Sequence, residues 1–339
     1  MAPSAVLLGD EAEGGAVEAK EMTPLEAISQ GDVLPGTYKS RELLLSTGFP
    51  IPNLPLRRGL PLTTCQGIPT FPTFQLARRH ALVHMAATFR YFARQGFAEG
   101  QSGHISVRDP EHGGLMWMNP LSRHFGLLTA GDMVCLELAT GRVVAGPANP
   151  ATGRRTANRA GFFIHAAVHA ARPDVHAVCH AHTAAGRAWS ALGRPLDMLT
   201  QDVCNFHGAH AVYASYGGIV FGADEGRRIA ASLGPTNKAV LLLNHGLLTV
   251  GRTVDEAGFL FGLLDRSCAI QLQVEAACAG GVKGGKVVIS DEEAAYNFKM
   301  ASEAHVLYRE AQPDLEYEME MAGGEDVLAK GFESLQFEF

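Results

Sequence analysis

Two histidines one residue apart close an apolar run, Val178-Cys179-His180-Ala181-His182, and a third closes another, Leu241-Leu242-Leu243-Asn244-His245-Gly246. In an extended strand residues i and i+2 point to the same side, so His180 and His182 can offer two imidazoles to one ion. A neighbouring strand ending at His245 could supply a third. Neutral imidazole is the commonest protein ligand for zinc, iron and similar ions, and three protein ligands with an open position make a catalytic arrangement. Spacing alone leaves a competing reading open, a pair of satisfied histidines at a strand end. Other groupings carry less. His165 and His169 stand four apart on a helix but lack the intervening glutamate of a metalloprotease. His207 and His210 have no helical or strand reason to converge. Arg123-His124 could meet a carboxylate or phosphate, and a solvated loop explains the same charges.

The elements that must position these residues are legible from periodicity. An apolar stripe from Leu76 to Phe92 predicts a helix starting near Phe74, ended by glycines at 96, 100 and 103. Strands are expected at 104–108, 115–118 and 133–137. The next helix spans about 157–171 and stops at Arg172-Pro173. Strand 175–180 leads to a helix capped by Thr183. Then come a short strand at 212–213, a helix at 224–233, and strands at 239–243 and 247–250. Thr253-Val254-Asp255-Glu256 reads as a capping box opening a long helix to about Ala279.

The chain has 339 residues, 47% of them hydrophobic, enough for one large domain with a substantial core or for two smaller ones. A net charge of -7 gives no electrostatic footprint for nucleic acid, and no run approaches a membrane span. The acidic N-terminus (Asp10, Glu11, Glu13, Glu18) lacks a basic leader, so a cytoplasmic location is expected. The six cysteines show no C-x-x-C spacing and read as reduced thiols. Residues 1–73, rich in proline breakers, read as an N-terminal extension, 74–281 as the domain, and 282–339 as a C-terminal extension. The acidic stretch from Pro313, with Tyr317, Phe332, Phe337 and Phe339, reads as a solvated or subunit-wrapping arm.

Four separated motifs resemble the class II aldolase/adducin family in the right order: Ser102-Gly103-His104-Ile105-Ser106-Val107-Arg108, Thr156 through His165, His180-Ala181-His182-Thr183, and Asn244-His245-Gly246 with Val254-Asp255-Glu256-Ala257. The resemblance spans roughly 75–280. It implies an α/β fold, a three-layer α/β/α sandwich in a single domain with extended arms, and a homotetramer with the active site near a subunit boundary. It also implies that His180, His182 and His245 are the metal ligands, for zinc first and iron(II) as the alternative. Ser102, Gly103, Asn119 and Ser122 fall at positions that would bind a small-molecule substrate. No nucleic-acid or membrane partner is expected.

The departures from the family pattern shape the expected chemistry. The resemblance places an acid/base glutamate four residues before His165, where this chain has Gly161, a residue that cannot move a proton. The aldolase phosphate cradle is matched by Leu121 and Ser122 and by Arg159 and Ala160. His169 matches tyrosine in similar proteins, which favours a supporting role for it and His165. His104 stands where aldolases usually carry asparagine, and either it or Asp202 is the candidate proton-moving residue. A hydrogen-bonded turn and a cap are their ordinary alternatives. Three readings follow. The first is a metal-dependent lyase on a small oxygenated, non-phosphorylated substrate, by carbon–carbon cleavage, its reverse, or decarboxylation. The second is a non-haem iron oxygenase with this fold, acting on aromatic pyruvate-type acids. The third is a non-catalytic, adducin-like interaction module.

Overall fold

Both faces of the central sheet are apolar, and that dictates helices on each side. The computed structural model describes residues 67–150, 153–218, 222–281 and 284–338; most of the expected 1–73 extension lies outside them. Eight strands form one sheet in the order β4-β3-β2-β1-β5-β8-β7-β6. They are β1 His104–Arg108, β2 Leu115–Met118, β3 Val134–Glu137, β4 Val143–Ala145, β5 Ala177–Ala181, β6 His210–Tyr213, β7 Ala239–Leu242 and β8 Gly246–Gly251. All neighbours are antiparallel except β6 and β7.

Helices α1 Phe74–Arg94, α3 Ala184–Ser190, α5 Val254–Ala279 and α7 Ala304–Ala322 gather on one face. Their core includes Phe89, Phe92, Trp189, Phe261 and Leu307, packed on Ile105, Trp117, Cys179 and Leu241. Helices α2 Arg159–Ala171 and α4 Ala223–Leu233 cover the other face, where Ile164, Val168, Ile229 and Leu233 meet Val178, Val240, Leu248 and Val250. The result is the expected three-layer sandwich.

Local signals explain most boundaries. Thr73 accepts a hydrogen bond from the Leu76 amide to cap α1, Asn158 from Gly161 to cap α2, and Thr183 from Gly186 to cap α3. Thr253 caps α5 through the Glu256 amide. The reciprocal half of that expected box is absent, because the Glu256 carboxylate instead accepts from the Arg252 amide and the Lys238 ammonium. Among the described residues all cysteines are free, and no helix is long and apolar enough to cross a membrane.

The acidic tail corrects one expectation. The C-terminal extension folds as α6 Asp291–Ala301, α7 and the short α8 Glu325–Leu328, and the stretch from Pro313, the second half of α7 onward, is not a solvated arm. Leu307, Ala311, Leu315, Leu328 and Phe332 join the main core, so α7 presents an apolar stripe inward and most of its acids outward, with Glu318 buried against Arg94. Pro313 sits inside α7, its ring accommodated in a helix anchored by tertiary packing. Arg155 and Glu338 pair by two bonds of 2.7 Å, and the Glu338 amide donates to the Val144 carbonyl, fastening the chain end beside β4.

Candidate metal centre

The cross-strand register builds the site. His180 pairs directly with His104, and Ser106 with Val178, across β1 and β5. All four side chains face the α2–α4 layer, as the alternation of a strand requires. His182 follows the end of β5, just before the α3 cap. His245 comes from the β7–β8 turn, where Asn244 takes a left-handed conformation at φ 54° and the His245 amide donates to the Leu242 carbonyl. Asparagine tolerates this region better than most side chains. Gly103, at φ 87°, makes the corresponding turn into β1; a Cβ there would lie 3.2 Å from the His180 carbonyl oxygen.

The three expected ligands converge. One ring nitrogen from each of His180, His182 and His245 lies within 4.8 Å of the others. The ring centroids form a near-equilateral triangle, 5.0, 4.8 and 4.8 Å on its sides. His180 Nδ1–H donates to the Leu247 carbonyl at 2.8 Å, which fixes its tautomer and leaves Nε2 with a lone pair. That atom lies 3.1 Å from His182 Nε2. Two nitrogens each about 2.0–2.1 Å from one tetrahedral zinc would be roughly 3.3 Å apart, so the donor set fits a single ion.

Burial favours the neutral form of these rings. It holds His180 well below the usual histidine range, with the neighbouring imidazoles adding to the effect. It lowers His245 to about 4, with His182 contributing and Glu225 opposing. His182 is lowered by burial and by Arg187, against the pull of Glu99. Glu99 and Glu225 are carboxylates that sequence spacing did not single out, since they come from a loop before β1 and from the first turn of α4. Glu99 pairs with Arg187 at 2.9 Å, and Glu225 accepts from the Tyr213 hydroxyl at 2.6 Å. The sequence signal for Glu225 was only its place in the first helical turn.

His104 is 4% exposed, its ring 4.8 Å from that of His180. Its Nδ1 lies 2.8 Å from His165 Nε2, and burial holds both well below the ordinary histidine range. A Cβ placed on Gly161 would stand 2.5 Å from His104 Cδ2. The volume over residue 161 is therefore filled by the His104 imidazole.

The remaining candidates are distributed differently. Asn119 is buried, and its Oδ1 accepts from the Ile105 amide at 3.4 Å, holding the 119–122 loop beside the start of β1. Ser122 is exposed, at φ 71°, and accepts from Gln101 at 2.8 Å, while Ser102 is half-buried in the turn that carries Gly103. Asp202 stands exposed at the start of the 3-10 helix Asp202–Phe206, a segment packed against α5 and α6, and is not among the converging residues. Arg123 pairs with Asp132 at 3.2 Å. His210 is structural: its ring accepts from the Leu196 amide and donates to the Phe206 carbonyl.

The sequence profile of the Class II Aldolase and Adducin N-terminal domain matches residues 83–272. The Meiotically up-regulated gene 14 protein of Schizosaccharomyces pombe is 40% identical over 259 residues, covering 76% of this chain and 96% of that protein. The 4-hydroxy-3-prenylphenylpyruvate oxygenase/4-hydroxy-3-prenylbenzoate synthase of Streptomyces roseochromogenus subsp. oscitans is 45% identical over 216 residues, 63% of this chain and 74% of its own length. Decarboxylase NovR of Streptomyces niveus is 45% identical over 210 residues, 62% and 75% of the two chains. A solved L-fuculose 1-phosphate aldolase from Glaciozyma antarctica PI12 superposes with a TM-score of 0.67 at 38% identity, covering 76% of this chain and 95% of that one.

Proposed function

The chain belongs to the class II aldolase and adducin N-terminal family, and from that premise we propose that it is a metal-dependent lyase. Its substrate would be small, oxygenated and non-phosphorylated, and the reaction would cleave or form a carbon–carbon bond beside a carbonyl, or decarboxylate. His180, His182 and His245 would hold one divalent ion, zinc first. That ion would supply Lewis-acid stabilisation for negative charge developing on a substrate oxygen. His104 would move the proton, and Ser102, Gly103, Asn119 and Ser122 would line the substrate side. Asp202 is the second candidate for proton movement, through a segment that would have to approach the site.

The observation that carries this reading is the pairing of three converging imidazoles with a His104 ring lying where a glutamate on residue 161 would begin. The likeness to a protein named decarboxylase supports carbon–carbon cleavage. A second reading, an iron(II) oxygenase, is favoured by the equal likeness to a protein named oxygenase and by a ligand set without a carboxylate, which leaves positions open for substrate and oxygen. The body of the domain at residues 75–280 would form a homotetramer.

Elemental analysis of protein purified without chelator tests the centre. One equivalent of zinc or iron is expected, lost in His182→Ala; no metal, or full metal in that variant, would overturn the reading and leave the adducin-like module. Reconstitution with zinc and with iron(II), followed by assay on aromatic 2-oxo acids, then separates the two chemistries. Carbon dioxide released without oxygen uptake supports the lyase. Oxygen uptake with iron alone selects the oxygenase.

A further inference from the structure

A buried string of polar groups runs inward from the metal centre through a layer that is otherwise apolar. His104 Nδ1 lies 2.8 Å from His165 Nε2, and His165 Nδ1 lies 2.7 Å from Ser106 Oγ. Ser106 Oγ is 2.9 Å from His169 Nε2, and His169 Nδ1 is 3.3 Å from the Val175 carbonyl oxygen. His104, Ser106, His165 and His169 are each at most 4% exposed. Gly161, His165 and His169 follow each other at i, i+4 and i+8 on α2, so one stripe of that helix carries both the string and the gap that receives the His104 ring.

The string has only one consistent direction. A carbonyl oxygen can only accept, so His169 Nδ1 carries the hydrogen and, the ring being neutral, Nε2 carries a lone pair. The Ser106 hydroxyl then donates to His169 and accepts from His165 Nδ1–H. His165 Nε2 is therefore an acceptor, and His104 must donate to it from Nδ1. Reversing every bond would set a nitrogen lone pair against the Val175 oxygen, an unpaired buried contact with its full desolvation cost. Arg108 anchors the inner end, since its guanidinium donates to the His169 carbonyl at 2.6 Å and to the Val175 carbonyl at 3.4 Å.

We infer that His165, Ser106 and His169 are positioning residues that lock His104 as its Nδ1–H tautomer, so that its Nε2 lone pair is presented beside the three-histidine group. This inference rests on the metal-enzyme reading for its purpose, but the tautomer is a property of the protein alone. Nε2 of His104 has no hydrogen-bond partner among the described residues. The ring is held from three sides: by His165, by the His180 ring across the strand pair, and by the bare Cα of Gly161. A histidine free to swap tautomers would offer a lone pair to the site only part of the time; the string removes that choice.

Long-range proton–nitrogen spectra of protein carrying nitrogen-15 histidine read each ring directly, with His104 assigned by the signal lost in His104→Gln. In the metal-free wild type, His104 should show a protonated Nδ1 and a bare Nε2. Ser106→Ala should mix the two tautomers of His104 and His165, while Ser106→Thr, which keeps the hydroxyl, should restore one. Zinc stoichiometry should be unchanged in both variants. On the substrate found by the assays above, Ser106→Ala should lower kcat by about 10–100-fold, the usual cost of losing a supporting partner, with KM little changed. A protonated Nε2 on His104 in the wild type would overturn the inference. So would a Ser106→Ala protein with unaltered tautomers. If the wild type binds no zinc, the metal reading fails by itself and the spectra still decide the string; if Ser106→Ala does not fold, the wild-type and Ser106→Thr spectra still do.

Discussion

Gly161 and His104 depend on each other sterically. A glutamate at 161 needs a Cβ, and that atom would stand 2.5 Å from His104 Cδ2, well inside contact distance. Gly161→Ala should therefore displace the imidazole and destabilise the fold by about 1–3 kcal/mol, the range for overpacking a filled interior, measurable by urea unfolding. Gly161→Glu alone should restore no aldol cleavage for the same reason. The unmodified protein, with zinc or with iron(II), should not cleave fuculose- or ribulose-type sugar phosphates at rates typical of enzymes, about 1–10³ per second. Turnover in that range on a sugar-phosphate panel would show that another group serves as base. Histidine burial also sets a pH dependence. His80 and His169 are lowered to about 3 and His245 to about 4, chiefly by burial, whereas an unfolded histidine titrates near 6.5. The unfolded chain then binds more protons below about pH 6.5, so this stability is present above that value and falls as pH drops from about 6.5 toward 3. Denaturation midpoints that rise on acidification across this window would contradict it.

At the scale of elements, the site depends on three strand ends brought level. The alternation in β5 places His180 on the α2 side, and the direct pairing of His104 with His180 sets a fourth imidazole on the same face. His245 depends on the β7–β8 turn, where Asn244 holds φ at 54°. Asn244→Val puts a branched side chain in a left-handed conformation, at a cost of about 1–2 kcal/mol, and should weaken zinc binding as the His245 ring tilts. Asn244→Gly should keep zinc affinity near that of the wild type. Equal affinities for Val and Gly variants, by competition with a chromogenic chelator, would show that the turn does not set the ligand. Helix α2 was expected from about 157 and begins at Arg159, a small shift. What periodicity did not show is that its stripe of Gly161, His165 and His169 lies against β1.

At the scale of the whole molecule, the tail is part of the fold. Val306, Leu307, Ala311 and Leu315 of α7 are buried, and Phe332 closes the same core further along. Removing 304–339 would uncover apolar surface on α1 and α5, and the shortened protein should lose its cooperative unfolding transition or aggregate. A truncated protein with an unchanged melting temperature would refute the claim that the tail is structural. The family resemblance also leads us to expect a tetramer; sedimentation at micromolar concentration showing a monomer would count against it.

A candidate ligand set and a layered α/β domain were readable from the chain itself. His180 and His182 share a strand face because a strand repeats every two residues, and the mixture of strands and helices implies a layered α/β domain, while its three-layer form was implied by the family resemblance. The acidic tail misled because its charges dominate composition, while the narrow apolar stripe of α7 has meaning only against a core that composition does not reveal. The approach of Glu99 and Glu225 to the site and the string from Val175 to His104 were likewise not legible, since each joins residues far apart in the chain. Strand register and helix packing decide those neighbours, and both are set by long-range burial that no local spacing encodes.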